Sequence, residues 1–208
     1  MSIILEKVER RLGEKLFLKG ERCSGPKCAA VRRGFPPGPH GKTKGKKRAG
    51  SDFSVLLREK QRAKYLYGIA ENDIRRYSKE SSARSGVFSS FFLRSLESRL
   101  DNAVYRLGFA VSRRVARQLV SHGHVTVNGK RVNIPSYSLR KGDIISLKEK
   151  ILSSPMFEDL TSRLKRQNPP VWLKLDPEKK TGEVMRSPEP EDTPVVIDPT
   201  KVKEFYSR

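Results

Sequence analysis

The stretch SRRVARQLVSHGHVTVNGKRV, residues 112–132, changes its hydrophobic period part-way along. Ser112 suits a helix N-cap, because its hydroxyl can satisfy an orphan N–H of the first turn. Gly123 suits the position just past a helix end. Between them Val115, Ala116, Leu119 and Val120 form one narrow apolar face, and Arg113, Arg114, Arg117 and Gln118 fill much of the rest. This predicts a short helix with arginines near its N-terminus, where the N–H groups and the dipole also favour anions. Residues 124–132 then alternate like a strand around Asn128-Gly129, a strong hairpin signal because both residues tolerate positive φ. Lys130 and Arg131 sit beside the predicted tip. Lys141-Gly142-Asp143 marks a turn before Ile144, Ile145 and Leu147, a third strand. The expectation is a compact α+β module.

Upstream, Phe88, Phe92, Leu96, Leu100, Ala103, Val104 and Leu107 recur at helical spacing, predicting one helix over residues 87–107. Arg99 and Arg106 align on one edge of that stripe. Their stems can pack while their heads reach phosphate; the plainer alternative is a pair of ordinary surface arginines. Residues 52–67 read as another helix, capped by Ser51 or Asp52, with Phe53, Leu56, Leu57, Ala63 and Tyr67 giving a rough apolar stripe and Arg58, Lys60, Arg62 and Lys64 mostly elsewhere. Residues 71–83 read as a helix carrying Arg75, Arg76 and Lys79.

Between residues 22 and 51 stand nine basic residues and no acid: Arg22, Lys27, Arg32, Arg33, Lys42, Lys44, Lys46, Lys47 and Arg48. This Gly- and Pro-rich stretch lacks a helical period, so an extended basic arm is expected, ordering on a polyanion or staying a solvated tail. Downstream, a weak helix is expected over residues 156–166. From Asn168 the acids balance the bases and prolines interrupt the chain, with Trp172, Leu173 and Leu175 as anchors. The expected division is a basic arm (1–50), a helical domain (51–95, completed by about 195–208), the α+β module (96–160) and a segment packing on it (161–194).

The whole chain has 208 residues, 44 Lys and Arg against 23 acids, and a net charge of +21. Such self-repulsion calls for a polyanion, most commonly nucleic acid. No stretch approaches the roughly 20 apolar residues of a membrane span. The N-terminus is too soon charged for a secretory segment, so a cytoplasmic protein is expected. No catalytic constellation stands out. PPGPHGKTKG lacks P-loop spacing. His122 and His124 flank a helix-end glycine, and neither Asp101 nor Asp143 has an evident partner.

Residues 96–146, LESRLDNAVYRLGFAVSRRVARQLVSHGHVTVNGKRVNIPSYSLRKGDIIS, resemble the S4 RNA-binding domain. That domain also occurs in enzymes and chaperones. The flanks KGERCSGPKC, PPGPHG, SDFSVLLREKQRAKYLYGI and VKEFYSR resemble the S4 family of bacterial small-subunit ribosomal proteins, so the likeness spans nearly the whole chain. It implies a mainly helical first domain with an inserted α+β RNA-binding module. It implies a structural ribosomal protein, not an enzyme, acting as a monomer within the ribosome. Such a protein binds small-subunit ribosomal RNA early at a helix junction, nucleates assembly of the body, and touches protein S5 in a contact tied to decoding accuracy. Matching positions carry RNA contact onto Arg99, Arg106, Ser112, Arg113, Arg114, Arg117, Gln118, His122, Asn128, Lys130 and Arg131, and more loosely onto the arm and the 52–67 helix. An RNA-modifying enzyme with this module as an appendage would need a catalytic domain beyond these residues. A chaperone-like binder of stalled ribosomal particles would lack the KGERC arm and the FYSR end.

One departure concerns metal. Many family members place four cysteines near the N-terminus and bind structural zinc; here only Cys23 and Cys28 are present, and Glu6 and Glu9 stand where the first pair would align. Zinc prefers a closed set of thiolates and imidazoles. Two carboxylates fit poorly, although His40 is a further candidate. The expectation is an incomplete zinc site, no cofactor, and two unligated thiols in a loop held by RNA.

Overall fold

The computed structural model describes residues 4–42, 50–193 and 197–207. In chain order the helices are α1 (Leu5–Leu12), α2 (Glu21–Ser24), α3 (Ala29–Arg32), α4 (Asp52–Tyr67), α5 (Glu71–Ser82), α6 (Phe88–Glu97), α7 (Leu100–Arg106) and α8 (Arg113–Ser121). Strands β1 (Val125–Val127), β2 (Lys130–Val132) and β3 (Ile144–Leu147) follow, then α9 (Glu149–Leu152) and α10 (Leu160–Arg166). Strands β4 (Leu173–Asp176) and β5 (Thr181–Val184) precede the last helix, α11 (Pro199–Ser207). The chain divides into two compact units, residues 1–88 with 195–208, and residues 89–194.

In the first unit Ser51 caps α4 by accepting from the Ser54 N–H, and Gly68 ends it in the left-handed region. Leu56, Ala63 and Tyr67 of α4, Ile74 and Tyr77 of α5 and Val202 of α11 are all buried. Glu59 ties two of these helices, accepting from the Asp198 N–H that precedes α11 at 2.7 Å. Over its described residues the basic arm is less extended than its composition predicts. It holds two short helices and a 3-10 turn at Pro39–Lys42. Arg10 donates to the carbonyls of Arg33 and Phe35, both at 3.1 Å, and lies over the Phe35 ring. Side-chain bonds to backbone order this stretch, and they leave no periodic trace in sequence.

The second unit is built on a five-stranded antiparallel sheet in the order β2-β1-β3-β5-β4. Val125, Val127, Ile145, Leu147 and Val184 are buried on it, and Leu100, Val104, Leu107, Ala116, Leu119 and Val120 of the helices join the same core. Gly182 is required where β5 meets α7, since a Cβ there would collide with Leu107. The fold class is α+β, as expected.

Two expectations change. The single helix over 87–107 is two helices, interrupted at Ser98-Arg99. Arg99 takes extended backbone, the Leu100 N–H donates to the Tyr137 carbonyl at 2.9 Å, and the Ser98 carbonyl accepts from Leu139 at 2.9 Å. A segment some forty residues away thus takes over backbone bonds the helix would have made. The Pro-broken segment also carries the β4–β5 hairpin, which extends the sheet through Ile145↔Gly182.

Candidate nucleic-acid interface

The surface centres on α8. Ser112 accepts from the Val115 N–H and is itself buried, so its part is to cap the helix rather than to offer a free hydroxyl. Behind the helix lies a buried polar network organised by acids whose partners were not legible in sequence. Asp101, 3% exposed, holds the guanidinium of Arg99 in two bonds of 3.0 and 2.7 Å. Arg117 approaches the same carboxylate at 3.9 Å while remaining 40% exposed. Glu97 holds Arg106 at 2.7 and 3.1 Å and also accepts from Asn102 at 2.7 Å. Asn102 passes the network outward, accepting from Arg113 Nε at 2.9 Å, and Arg113 lies over the Tyr105 ring. Two buried acids therefore set the position of two surface arginines, Arg113 and Arg117.

Arg99 is 1% exposed and carries no outward surface. Arg106 is mostly covered and bound by Glu97. The expected alignment along a continuous helix fails, because the helix breaks at Arg99 and the acids draw both heads inward. Both belong to the support of the surface. Asn128 is likewise committed. It sits at φ 51 in the turn, donates to Asp143 at 2.8 Å and accepts from the Ile144 N–H at 2.9 Å. Asp143 also accepts from the Arg140 N–H at 2.7 Å, so it pins the hairpin tip to the following turn.

Exposed side chains remain on α8 and on the hairpin: Arg114, Gln118 and His122, with Lys130 and Arg131. Arg131 donates to the His122 carbonyl at 3.4 Å, which links the hairpin to the end of α8. The His122 and His124 rings are 6.0 Å apart. Burial, then the positive charges of His122, Lys148, Arg131 and Lys150, push the His124 imidazole below its usual range. Lys148 and Lys150 add positive charge near His124, and the exposed Arg140 and Lys141 adjoin Asp143 at the hairpin tip; none of the four was a candidate site in sequence. The Lys141-Gly142-Asp143 turn was the available signal.

In the first unit the cations of α4 are mostly paired. Lys60 and Lys64 meet Glu71 at 2.7 and 2.9 Å, and Arg62 pairs with Glu14 and Glu59. Lys60 is 5% exposed. These three are poor candidates for open phosphate contact, because their acids already hold them; Arg58 is exposed. In the arm Arg32, Arg33 and Lys42 are exposed. Lys44, Lys46, Lys47 and Arg48 lie outside the described residues.

Cys23 and Cys28 are buried and free. Glu9 is fully buried and turns one oxygen to the N–H groups of Leu16 and Leu18, at 3.0 and 3.2 Å. Glu6 is paired with Lys19 and Arg22. Burial pushes the Cys23 thiol up, favouring its protonated form. Among the described residues no three ligating side chains converge on one point. This donor set does not fit a tetrahedral zinc.

Comparison with known proteins places this geometry. The profile of the ribosomal protein S4/S9 N-terminal domain matches residues 5–97, and that of the S4 domain matches residues 98–145. The small ribosomal subunit protein uS4 of Thermus thermophilus is 51% identical over 199 residues, covering 96% of this chain and 94% of that protein. The chain belongs to the uS4 family. The uS4 proteins of Acetivibrio thermocellus and Natranaerobius thermophilus are 49% and 46% identical over the same shares of both chains. All of α8, the hairpin and the acids Asp101 and Asp143 lie within the S4-domain match.

Proposed function

We propose that this chain is a structural component of the small ribosomal subunit that binds ribosomal RNA through α8 and the β1–β2 hairpin. One observation carries the reading: the S4-domain match gathers exposed cations and polar groups on α8 and the hairpin, beside two arginines, Arg113 and Arg117, that buried polar partners hold in place. The work of such a protein is physical. Exposed Lys and Arg displace counterions from RNA phosphates, and a rigid surface reads the shape of folded RNA, whose base edges are hidden in the deep groove. Nucleation of the subunit body, a contact with protein S5 and an effect on decoding accuracy extend this reading, as does residence in the cytoplasm with the ribosome. No described helix is long and apolar enough to cross a membrane. Membership of a structural ribosomal family favours binding over catalysis. The segment around Cys23 and Cys28 is proposed to work without zinc, with the Glu9 carboxylate accepting from the Leu16 and Leu18 N–H groups in place of a metal tie.

The test is binding to a fragment of small-subunit ribosomal RNA across a salt series, against a helical RNA of equal length. Tight binding that survives the competitor supports shape recognition. Equal binding of both RNAs, lost together as salt rises, would leave charge alone at work and overturn the reading.

A further inference from the structure

Beside the C-terminal half of α8 lies an open pocket of about 120 Å³. Leu119, Ile151 and Phe157 give it apolar walls, and Gln118, His122 and His124 bring hydrogen-bonding groups to it. Size decides what it can hold. Pockets for drug-sized ligands run from about 300 Å³ upward. An enclosed apolar cavity of about 150 Å³ accepts benzene. At about 120 Å³ the pocket is too small to enclose a ring, but because it is open it can take one edge or face of a flat ring and leave the rest outside.

Its surroundings decide the kind of ring. Arg131 bonds the His122 carbonyl, and the Lys148 N–H donates to the His124 carbonyl at 2.9 Å, so two cationic residues adjoin the two histidines. Lys150 adds charge at the same place. A ring attached to an anionic backbone matches this arrangement, with the ring between apolar walls and its phosphate among the cations. Unpaired bases splayed out of folded RNA are bound in this manner, stacked on aromatic or imidazole faces and hydrogen-bonded at their edges.

We propose that this pocket receives one unpaired nucleobase of the bound RNA, giving the surface a base contact in addition to its phosphate contacts. The proposal rests on the RNA-binding reading above and deepens it. It separates two sources of affinity. Phosphate contacts weaken with salt, whereas a stacked base neutralises no phosphate and leaves the salt slope unchanged.

The experiment is methyl NMR of the full chain, titrated with adenosine and uridine 5′-monophosphates and, in parallel, with ribose 5-phosphate and N-acetyl-tyrosinamide. The nucleotides should move the Leu119 and Ile151 methyls, and ribose 5-phosphate should not. Equal shifts with ribose 5-phosphate, or none with either nucleotide, would overturn the proposal. So would shifts with the tyrosine amide alone, which would mark a protein side chain as the occupant. In the second arm, Ser154→Leu narrows the pocket, since Ser154 also lines it. It should abolish the nucleotide shifts and weaken binding of the ribosomal RNA fragment about tenfold at an unchanged salt slope. Unchanged affinity for the fragment would sink the proposal even if free nucleotides enter. The two readings fail separately. Loss of discrimination against helical RNA, with nucleotide shifts intact, removes the ribosomal reading and leaves the pocket. Discrimination without nucleotide shifts does the reverse.

Discussion

Helices α4 and α8 are both rich in Lys and Arg, yet they treat their charge differently. On α4, Lys60, Lys64 and Arg62 are held by Glu71, Glu59 and Glu14, so their charge binds the unit together. On α8, Arg114 and Gln118 are exposed, and the half-buried Arg113 and Arg117 are steadied from behind by Asn102 and Asp101. A count of cations cannot tell these cases apart. The difference lies in the acids, and in whether they sit beside the cations or beneath them.

The sharpest break of the comparison is to remove the acid beneath α8. Asp101→Leu takes from Arg99, 1% exposed, the carboxylate that accepts two of its hydrogen bonds. Removing one partner of a buried ion pair costs about 3–5 kcal/mol. Urea unfolding monitored in the second unit should show a loss of that order. A loss below about 1 kcal/mol would mean that other groups carry Arg99 and that Asp101 does not organise the surface.

Next in size is a binding effect without a stability effect. Arg114→Glu with Lys130→Glu alters two exposed residues, so unfolding should change by less than about 0.5 kcal/mol. Affinity for the ribosomal RNA fragment should fall about a hundredfold, and the salt slope should shrink by about 1.4 to 1.8. Lys60→Met on α4 should show the opposite pattern, with a clear loss of stability and the salt slope kept. If Lys60→Met flattens the slope as much as the α8 and hairpin pair does, the contrast between the helices is wrong.

Local signals account for what could be read in the sequence. Ser51 starts α4 and Ser112 starts α8 where cap chemistry places them, and Asn128-Gly129 turns the hairpin. Non-local bonds account for the rest. The apolar stripe of residues 87–107 runs unbroken through Arg99, but the distant 135–139 segment captures the backbone and splits the helix. Arg99 and Arg106 looked outward because the acids that turn them inward act only in three dimensions. The β4–β5 hairpin could have been found from its turn. Asp176 accepts from the Glu178 and Lys179 N–H groups, an aspartate turn that the prolines on either side obscured.

The cap of α8 offers a smaller and more graded test. Ser112→Ala removes the oxygen that accepts from the Val115 N–H. The expected loss is about 1 kcal/mol of stability. Because Arg113 and Arg114 open the helix, fraying there should also weaken RNA binding a few-fold. Lost stability with unchanged RNA affinity would show that the acid network alone holds these arginines.

The smallest expected effect belongs to α4 and comes through pH. Burial pushes the Glu71 carboxyl up, but hydrogen bonds from Lys60, Lys64 and Tyr206 outweigh it and bring the group down to about 2. Its unfolded value is near 4.5. A carboxyl held lower in the folded chain stabilises fully above the unfolded value, and that stability is lost as pH falls from about 4.5 toward 2. Because the side chain is 41% exposed, solvent screening reduces the contribution to about 1 kcal/mol. Glu71→Gln should therefore be less stable than the parent near pH 7, and the gap should close on acidification through that window. A gap that stays constant from pH 7 to about pH 2 would show that packing, not the carboxylate's charge, holds Lys60 and Lys64. The cations of α4 would then be no more committed than those of α8, and the contrast between the two helices would rest on exposure alone.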